Sequence, residues 1–465
     1  MKKSMNIDAT KGNIKKNLWV LAWPLMIANL IQVVYNMADT YWVGKLENST
    51  DAIAAVTVTF SVVFVLVSLA AGLGIGSATL AAQYYGAKEY KKVDEVTYTS
   101  LIVIGVVALL FVGAGIIFYE ELFNLLKTPP EIIPIAKDYF IIIMVGMLFM
   151  FIFFIMSGIL RGVGDTRTPM IAGIVSGIMN MVLDPFLIFG WWIFPELGIS
   201  GAAYATVFSR FFASIYIFYV VLRGKTFLRM NLRNFKVDFG ITKQLFKIGV
   251  PSSISQAVIS LGGTVIMGRV NMFGAVAGAV HGIGARLESL LFMPAMGLSQ
   301  AASSIVGQNL GAGQKDRAYE SGKYAMKAVF IILLVLGIIF SIFPSVFFSI
   351  FSDDEAVIEL GRYYVYGVTL FFAFVGCRIV MSNVFQGAGA ASVSMWLSLI
   401  CLWVFRIPMA YGLSYTGLGI KGVWLGMGLS FVVSFFFMYY FYKKGKWMEM
   451  AVVHKKEEQP ESIEK

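Results

Sequence analysis

Long apolar runs recur along the whole chain, and they constrain its fold more than any other feature. Of the 465 residues, 58% are hydrophobic and only 14% are charged, whereas soluble proteins carry roughly 25% charged residues. A run of about 20 apolar residues can cross the hydrocarbon core of a bilayer as a helix. Because lipid offers no hydrogen-bond partners, continuous runs indicate helices and not a barrel. We therefore predict an all-α polytopic membrane protein.

The apolar runs predict about twelve transmembrane helices. They lie near residues 18–43, 52–83, 96–119, 133–160, 168–191, 198–222, 244–271, 274–308, 319–350, 356–385, 392–414 and 418–442. No signal-peptide cleavage pattern follows the first methionine, so we expect the first span to be retained.

Basic residues are distributed unevenly between the two sides of these spans. Lysines and arginines, which give the chain its net charge of +10, are concentrated before residue 17, within the stretch 223–247 and after residue 442. All three regions fall on the same side, while the acidic loop Asp353-Asp354-Glu355 falls on the other. This positive-inside bias predicts a bilayer partner, both termini in the cytoplasm and no nucleic-acid partner.

The two halves of the chain repeat one another at an offset of 225 residues. Residues 72–87 align with 297–312, and Gly162-Val163-Gly164 aligns with Gly387-Ala388-Gly389. Each half holds six spans, so the copies have the same orientation, as in transporters built from parallel repeats. We predict an N-terminal segment at 1–17, a first six-helix lobe at 18–222, a cytoplasmic linker at 223–243, a second six-helix lobe at 244–442 and a cytoplasmic tail at 443–465.

Two aspartates, Asp39 and Asp184, lie inside predicted spans of the first half. A carboxylate in a membrane span is costly, so it usually faces a cavity and has a function. The second half lacks both acids, because the counterpart of Asp184 is Ile407 and that of Asp39 falls near Ile266. A structural need common to both halves therefore does not explain them, which favours a functional role.

Further polar residues share helix faces with these acids. Asn180 lies four residues before Asp184, and Tyr35 four before Asp39, so each pair shares one face. At about 1.5 Å per residue, Asp39 lies about 6 Å, Asp184 about 11 Å and Thr206 about 12 Å from the outer ends of their spans. The four residues Asp39, Asn180, Asp184 and Thr206 can therefore converge. Their oxygen atoms suit a hard cation, and the paired carboxylates could instead carry a proton.

Other intramembrane charges are weaker candidates. Arg286 and Glu288 lie in mid-span beside His281 and could pair with one another or across the bundle. Three further arginines could snorkel or line the cavity of the second six-helix bundle. They are Arg210, Arg378 and Arg406.

Signatures of enzymes and of ATP-driven pumps are missing from the sequence. There is no Walker motif, no nucleophile–base pair, and no Cys/His cluster around Cys377 and Cys401. We therefore predict neither an enzyme nor an ATP-driven pump, and no cofactor.

A series of short motifs resembles one transporter family. In chain order they are Pro24 with Gln32-x-x-Tyr35-Asn36-x-x-Asp39, Gly72-Leu73-Gly74, Gln83-x-x-Gly86-Ala87, Leu160-Arg161-Gly162-x-Gly164-Asp165, Leu183-Asp184-Pro185, Gly249-Val250-Pro251, Met293-Pro294-Ala295-Met296-Gly297 and Phe385-Gln386-Gly387. Together they resemble the multidrug and toxic compound extrusion (MATE) transporters, and most of all the DinF-like prokaryotic branch, from Leu18 to about Tyr442.

This resemblance implies two six-helix lobes around a central cleft in a prokaryotic plasma (inner) membrane. It implies a monomer that exports organic, often cationic, drug-like compounds in exchange for Na⁺ or H⁺. By position, the first-lobe cation site is Asp39, Asn180, Asp184 and Thr206, which would also be the Na⁺ ligands. The implied substrate-cavity residues are Pro24, Gln32, Tyr35 and Tyr139, with Arg286 and Glu288 as secondary candidates.

The sequence departs from the family pattern at two places. NorM-like members carry an acid in the seventh helix, where this chain has Gln256, which speaks against a second-lobe cation site. Some archaeal relatives have asparagines before the Leu-Arg-Gly motif, where this chain has Phe153, Phe154 and Ser157. These residues predict a more apolar pocket.

Two other functions fit the residues less well. A flippase for lipids or lipid-linked oligosaccharides would need a strongly cationic central cavity, and the sequence offers few candidates beyond Arg210, Arg378 and Arg406. For a receptor or channel without coupled transport, neutralising both aspartates would leave function intact.

Overall fold

The chain folds into a bundle of long helices. The computed structural model describes residues 6–46, 49–224, 226–228 and 237–453, and this part of the chain contains no strand. Twelve of its helical segments are long and apolar enough to cross a membrane. The prediction of an all-α protein with twelve spans is therefore confirmed.

The first half contributes six of these spans and one short helix. The helices are α1 (Ile14–Val43), α2 (Ser49–Gly86), α3 (Tyr90–Ile117), the short α4 (Tyr119–Leu125), α5 (Ile133–Gly162), α6 (Arg167–Phe189) and α7 (Gly198–Leu222). The second half contributes α8 (Phe239–Asn271), α9 (Ala275–Gly311), α10 (Lys315–Ile342), the short α11 (Pro344–Ser349), α12 (Glu355–Val368), α13 (Phe372–Gly387), α14 (Ala391–Leu399), α15 (Ile407–Ser414) and α16 (Ile420–Lys444).

Three spans of the second half differ from the prediction. The span predicted at 319–350 ends at Ile342, two residues before Pro344, and α11 follows. A 3₁₀ turn at Thr369–Phe371 separates α12 from α13, and a π-helical segment at Ile400–Arg406 separates α14 from α15. The π segment ends just before Pro408, whose missing N–H leaves a carbonyl of that turn without its usual partner.

Two apolar cores form, and each receives a helix end from the other half. Leu18, Leu21 and Leu25 of α1 belong to the core built mainly from the second half. Conversely, Leu245 and Ile248 of α8 belong to the core of the first half. Because α1 and α8 are repeat counterparts, the exchange is pseudo-symmetric, and it ties the two halves together.

The predicted lobe boundaries stay a prediction, and parts of the connecting segments lie outside the described residues. These parts are residues 1–5 of the N-terminal segment, 225 and 229–236 of the linker, and 454–465 of the tail.

Two buried glutamines join the halves on the side where the ends of the described chain lie, which we call the terminal side. Gln83 Nε2 of α2 donates to the Gly387 carbonyl at 3.0 Å. Its repeat counterpart, Gln308 of α9, donates to the Gly162 carbonyl at 2.8 Å. Each bond crosses from one half to the other, so the pair forms a pseudo-symmetric seal.

The chain ends complete this seal. The backbone N–H of Ala9 donates to Gln308 Oε1 at 2.9 Å, and that of Val452 donates to Gln83 Oε1 at 2.8 Å. Both segments also lie against glycines of the repeated loops, Gly164 and Gly389, which share a φ of 85°. A left-handed φ of this kind favours glycine, which accounts for its presence in both copies.

Asp238 begins the second half as the cap of α8. Its Oδ1 accepts hydrogen bonds from the backbone N–H groups of Gly240 and Ile241 at 2.7 and 3.0 Å. The bond from Ile241 is the main cause that lowers the pKa of this carboxyl, and Lys92 adds to the effect. The cap is therefore fully charged at neutral pH, and its stabilisation is lost as the pH falls through the lowered pKa.

Replacing Asp238 with alanine should lower the free energy of unfolding by about 1 kcal/mol, the usual value of a helix cap. Asp238→Asn keeps the acceptor oxygen and should retain most of that stability at neutral pH. Thermal unfolding of the detergent-solubilised protein checks both variants. Equal losses for alanine and asparagine would show that the cap bonds do not matter.

Candidate functional site: an ion cluster beside a central cavity

A cavity of about 580 Å³ lies between the two halves and is lined by both. The first half contributes residues of α1, α2, α5, α6 and α7, and the second half residues of α8, α9, α13, α16 and the π segment. Phenylalanine rings form much of its apolar wall. They are Phe153, Phe154, Phe292 and Phe431.

The polar lining of this cavity is dominated by positive charge. Four arginines and a single carboxylate, Glu288, line it. Two of the arginines come from each half, and they are Arg161, Arg210, Arg378 and Arg406. Amide side chains, including those of Gln32, Gln256 and Gln300, add neutral donors and acceptors.

Tyr35 lies at the edge of the cavity nearest the predicted ion site. Its hydroxyl oxygen accepts hydrogen bonds from Gln32 Nε2 at 3.0 Å and from Arg210 Nη2 at 2.6 Å. The Arg210 guanidinium also stacks on the Tyr35 and Phe153 rings, 5.5 Å from each centroid. Since Tyr35 and Asp39 lie one turn apart on α1, a change at Asp39 can reach the cavity through this helix face.

The ion cluster is built around Asp184, which is fully buried in α6. Asn180 Nδ2, one turn earlier, donates to Asp184 Oδ1 at 3.2 Å. The same amide nitrogen lies 3.4 Å from Thr206 Oγ1 of α7. The structure thus brings together these three residues of the predicted set.

Two glycines allow the neighbouring helices to approach α6 at this point. A Cβ on Gly177 would lie 2.6 Å from Ile31 Cγ2, so α1 passes close to the turn before Asn180. A Cβ on Gly201 would collide with the Leu187 carbonyl, so the start of α7 packs directly on the end of α6. These close approaches bring α1 and α7 against the face of α6 that carries Asp184.

Asp39 faces the cluster from α1. Its charge acts on Asp184, and both charges act on the buried Tyr139 of α5. Three oxygen atoms here are buried without any hydrogen-bond partner, namely Asp39 Oδ1, Asn180 Oδ1 and Asp184 Oδ2. Unpaired buried acceptors are costly, and bare oxygens of this kind suit either a hard cation or a proton.

Two of the predicted cavity residues do not line the cavity. Pro24 is buried within α1 and is not among the residues that line the cavity. Tyr139 is buried beside the two aspartates. Gln32 and Tyr35 do line the cavity. The family resemblance implied all four as cavity residues, and the sequence does not reveal which face of each helix is covered by neighbouring helices.

Of the two alternatives that the sequence left open for Arg286 and Glu288, pairing with one another is wrong. Residues two apart on a helix point in different directions, and Arg286 is exposed, with its guanidinium over the Phe351 ring. Glu288 instead lines the cavity and accepts a hydrogen bond from the Tyr364 hydroxyl at 2.8 Å. Arg286 therefore has no part in the cavity.

Arg161 is a cavity residue that the sequence did not indicate. It lies in the Leu-Arg-Gly motif, lines the cavity and donates to Gln300 Oε1 of the second half at 3.1 Å. Its position near the end of a predicted span resembled that of an ordinary interfacial arginine. The sequence carries no signal for this contact, because Arg161 and Gln300 are far apart in the chain and only the fold brings them together.

Comparison with known proteins identifies the class. The MatE family model matches residues 24–186 and 251–412, once in each half. The chain therefore belongs to the MATE family of multidrug efflux transporters, and the two matches agree with the internal repeat.

Individual relatives cover almost the whole chain. The chain is 30% identical to the probable multidrug resistance protein YpnP of Bacillus subtilis, over 97% of this chain and 99% of the relative. It is 32% identical to the probable multidrug resistance protein NorM of Thermotoga maritima, over 95% and 94%. A crystal structure of MATE in the straight conformation matches with a TM-score of 0.90 and 27% identity, over 96% and 99%.

Proposed function

We propose that this transporter exports organic compounds through the central cavity in exchange for Na⁺ or H⁺ bound at the Asp39–Asp184 cluster. The observation that carries the proposal is the set of three buried oxygens without partners, on Asp39, Asn180 and Asp184. A monovalent cation satisfies all three, and a proton on one carboxylate removes the repulsion between the acids. Thr206 supplies a fourth oxygen at the same place.

Coupling follows from the position of α1 between the cluster and the cavity. Cation binding draws Asp39 towards Asp184. This also moves Tyr35, which lies one turn from Asp39 on the same face of α1. Pro24 interrupts the hydrogen-bond ladder of α1 and so permits this helix to bend. The cation thereby favours one of two cavity shapes, and it can shift their populations only by its difference in affinity for them.

The terminal side, in this proposal, faces the cytoplasm of a prokaryotic cell. The basic residues concentrated there support this orientation. In this proposal the glutamine seal closes the cytoplasmic side, so the transporter is in an outward-facing state, and it works as a monomer. Export then requires the seal to open, so that substrate can enter from the cytoplasm.

The test is efflux of a fluorescent organic substrate from proteoliposomes under separately imposed Na⁺ and H⁺ gradients. We expect one gradient to drive efflux by the wild type and neither to drive it in the Asp39→Asn/Asp184→Asn double variant. An Asp138→Asn variant, which alters an exposed acid on α5, is the matched control. Efflux without a gradient, or efflux unaffected by the double variant, would reject coupling at this cluster.

The cavity arginines favour a second candidate function, a flippase for anionic lipids or lipid-linked sugars. The sequence offered too few cationic residues for this reading, and Arg161 raises their number in the lining to four. A fluorescent phospholipid with an anionic head group, reconstituted with the protein, distinguishes the two. Protein-dependent movement between leaflets without efflux of soluble compounds would favour the flippase.

A further inference from the structure

We propose that the central cavity selects organic anions, in which a phosphate-type group is attached to an aromatic or isoprenoid body. This substrate class rests on the proposed transport function, and it reverses the cationic preference that the family resemblance implies. Four observations support it, namely the charge balance, the free donors, the placement of the arginines and the apolar wall.

The charge balance of the lining is strongly positive. Arginines remain protonated in proteins, so four of them against the single carboxylate of Glu288 leave an excess of positive charge. In the described part of the chain, no carboxylate lies within 4.0 Å of any of the four guanidinium groups. An organic cation entering this space would meet repulsion, whereas an anion would be attracted.

The second-half arginines form a pair of neighbouring guanidinium groups on the cavity wall. Arg378 and Arg406 are close enough for their like charges to interact, and Arg406 also interacts with Glu288. Arg378 Nε is buried without a hydrogen-bond partner. A buried donor of this kind is rare unless something binds it, and two neighbouring guanidinium groups match the oxygens of a phosphate.

The first-half arginines are held by neutral partners. Arg161 donates to Gln300, and Arg210 donates to the Tyr35 hydroxyl. These bonds use few of the five donors of each guanidinium, and neither neutralises its charge. The protein therefore holds both guanidinium groups in place without neutralising their positive charge.

Backbone geometry directs Arg406 into the cavity. It is the last residue of the π-helical segment Ile400–Arg406, and its guanidinium lies over the Phe431 ring at 4.5 Å. Such π segments occur often at functional sites, because the wider turn changes the direction of a side chain. Phe153, Phe154 and Phe292 line the same cavity and offer apolar contact for the uncharged part of a substrate.

Equilibrium binding to the purified full-length protein in detergent tests this proposal without any ion gradient. The probe is flavin mononucleotide, and its control is riboflavin, which has the same ring system but no phosphate. We expect flavin mononucleotide to bind at least about ten-fold more tightly than riboflavin, because its phosphate can accept one or two charge-assisted hydrogen bonds. We also expect ethidium, an aromatic cation, not to displace it. Equal affinity for the two flavins would overturn the proposal.

Variants of the lining give effects of opposite sign. Arg378→Gln and Arg406→Gln should each weaken flavin mononucleotide binding about ten-fold and leave riboflavin binding unchanged. Glu288→Gln keeps the acceptor for Tyr364 but removes the negative charge, so it should strengthen binding, which a misfolded protein would not do. Arg286→Gln, an exposed arginine of the same helix as Glu288, is the matched control. Identical affinities in all four variants would contradict the proposal.

A second pair of compounds distinguishes a soluble substrate from a lipid-linked one. Farnesyl pyrophosphate and farnesol are used as competitors against flavin mononucleotide. Stronger competition by the pyrophosphate than by farnesol supports an anionic site that accepts lipid-linked groups, and binding of the flavin alone supports a soluble anion. If neither charged compound binds better than its neutral partner, the cavity is not an anion site. Gradient-driven efflux could still occur in that case, so the two proposals fail independently.

Discussion

Replacing Asp184 with asparagine should abolish gradient-driven transport and yet raise the stability of the protein in cation-free, alkaline buffer. Under these conditions Asp184 is a buried carboxylate with one oxygen that has no partner. Burying an unpaired charge costs several kcal/mol. Asparagine keeps the acceptor for Asn180 and puts a neutral N–H donor in place of the unpaired oxygen. We expect a gain of about 1–3 kcal/mol in stability.

The same change removes the charge that binds the coupling ion. Losing one charged ligand should lower transport at least about 100-fold. It should also remove the rise in melting temperature that the coupling ion gives the wild type, because ligand binding stabilises only a protein that retains the site. Transport assays and melting curves with and without Na⁺, and across pH, measure both effects.

Asp138→Asn separates this effect from a general loss of acidic charge. Asp138 is exposed on α5, next to Tyr139 in the chain, so its neutralisation should alter neither transport nor the ion-dependent stabilisation. A destabilised Asp184→Asn protein that still transports would mean that Asp184 is a structural residue, and the coupling site would have to lie elsewhere.

Local spacing accounts for the parts of the site that the sequence predicted. Asn180 and Asp184 are four residues apart, and the helical repeat alone puts them on one face. The depth of Thr206 follows from counting residues along a span. These arguments need only a regular helix and a bilayer, so the structure brings Asn180, Asp184 and Thr206 together as expected.

The cavity depends on helix rotation, which the sequence does not specify. A helix in lipid has apolar residues on both its lipid-facing and its buried sides, so hydrophobicity does not mark the inward face. Nothing in the sequence therefore corrected the assignment of Pro24 to the cavity, which it does not line, or indicated that Arg161 lines it. Arg406 enters the cavity from a π turn, and no periodicity argument based on a regular helix anticipates such a turn.

Replacing Gly86 with valine should favour the open state of the seal on the terminal side and slow transport. A Cβ on Gly86 of α2 would collide with the Gln308 carbonyl of α9, and one on its counterpart Gly311 would collide with the Gln83 carbonyl. The obstacle in each case is backbone, which has little freedom to move aside. The two helices can then no longer approach closely enough to form two buried hydrogen bonds, from Gln83 to the Gly387 carbonyl and from Gln308 to the carbonyl of Gly162.

The cost of such overpacking is about 1–3 kcal/mol, and it applies only to the state in which the seal is closed. A penalty of that size shifts a two-state equilibrium about 5- to 150-fold towards the open state. Because a complete cycle requires the seal to close, transport should fall by a comparable factor. Gly311→Val, at the symmetric position, should have the same effect.

Distances between spin labels at positions 91 and 316 measure the opening directly. Lys91 and Asp316 are exposed repeat counterparts at the starts of α3 and α10, and the native Cys377 and Cys401 are buried. We expect Gly86→Val and Gly311→Val to move the distribution to longer distances. Gly105→Val is the matched control, because a Cβ on Gly105 meets no atom within 4 Å. If the distances in the two seal variants match those of the wild type and the control, these glycines do not set the closed state, and the seal on the terminal side must depend on other contacts.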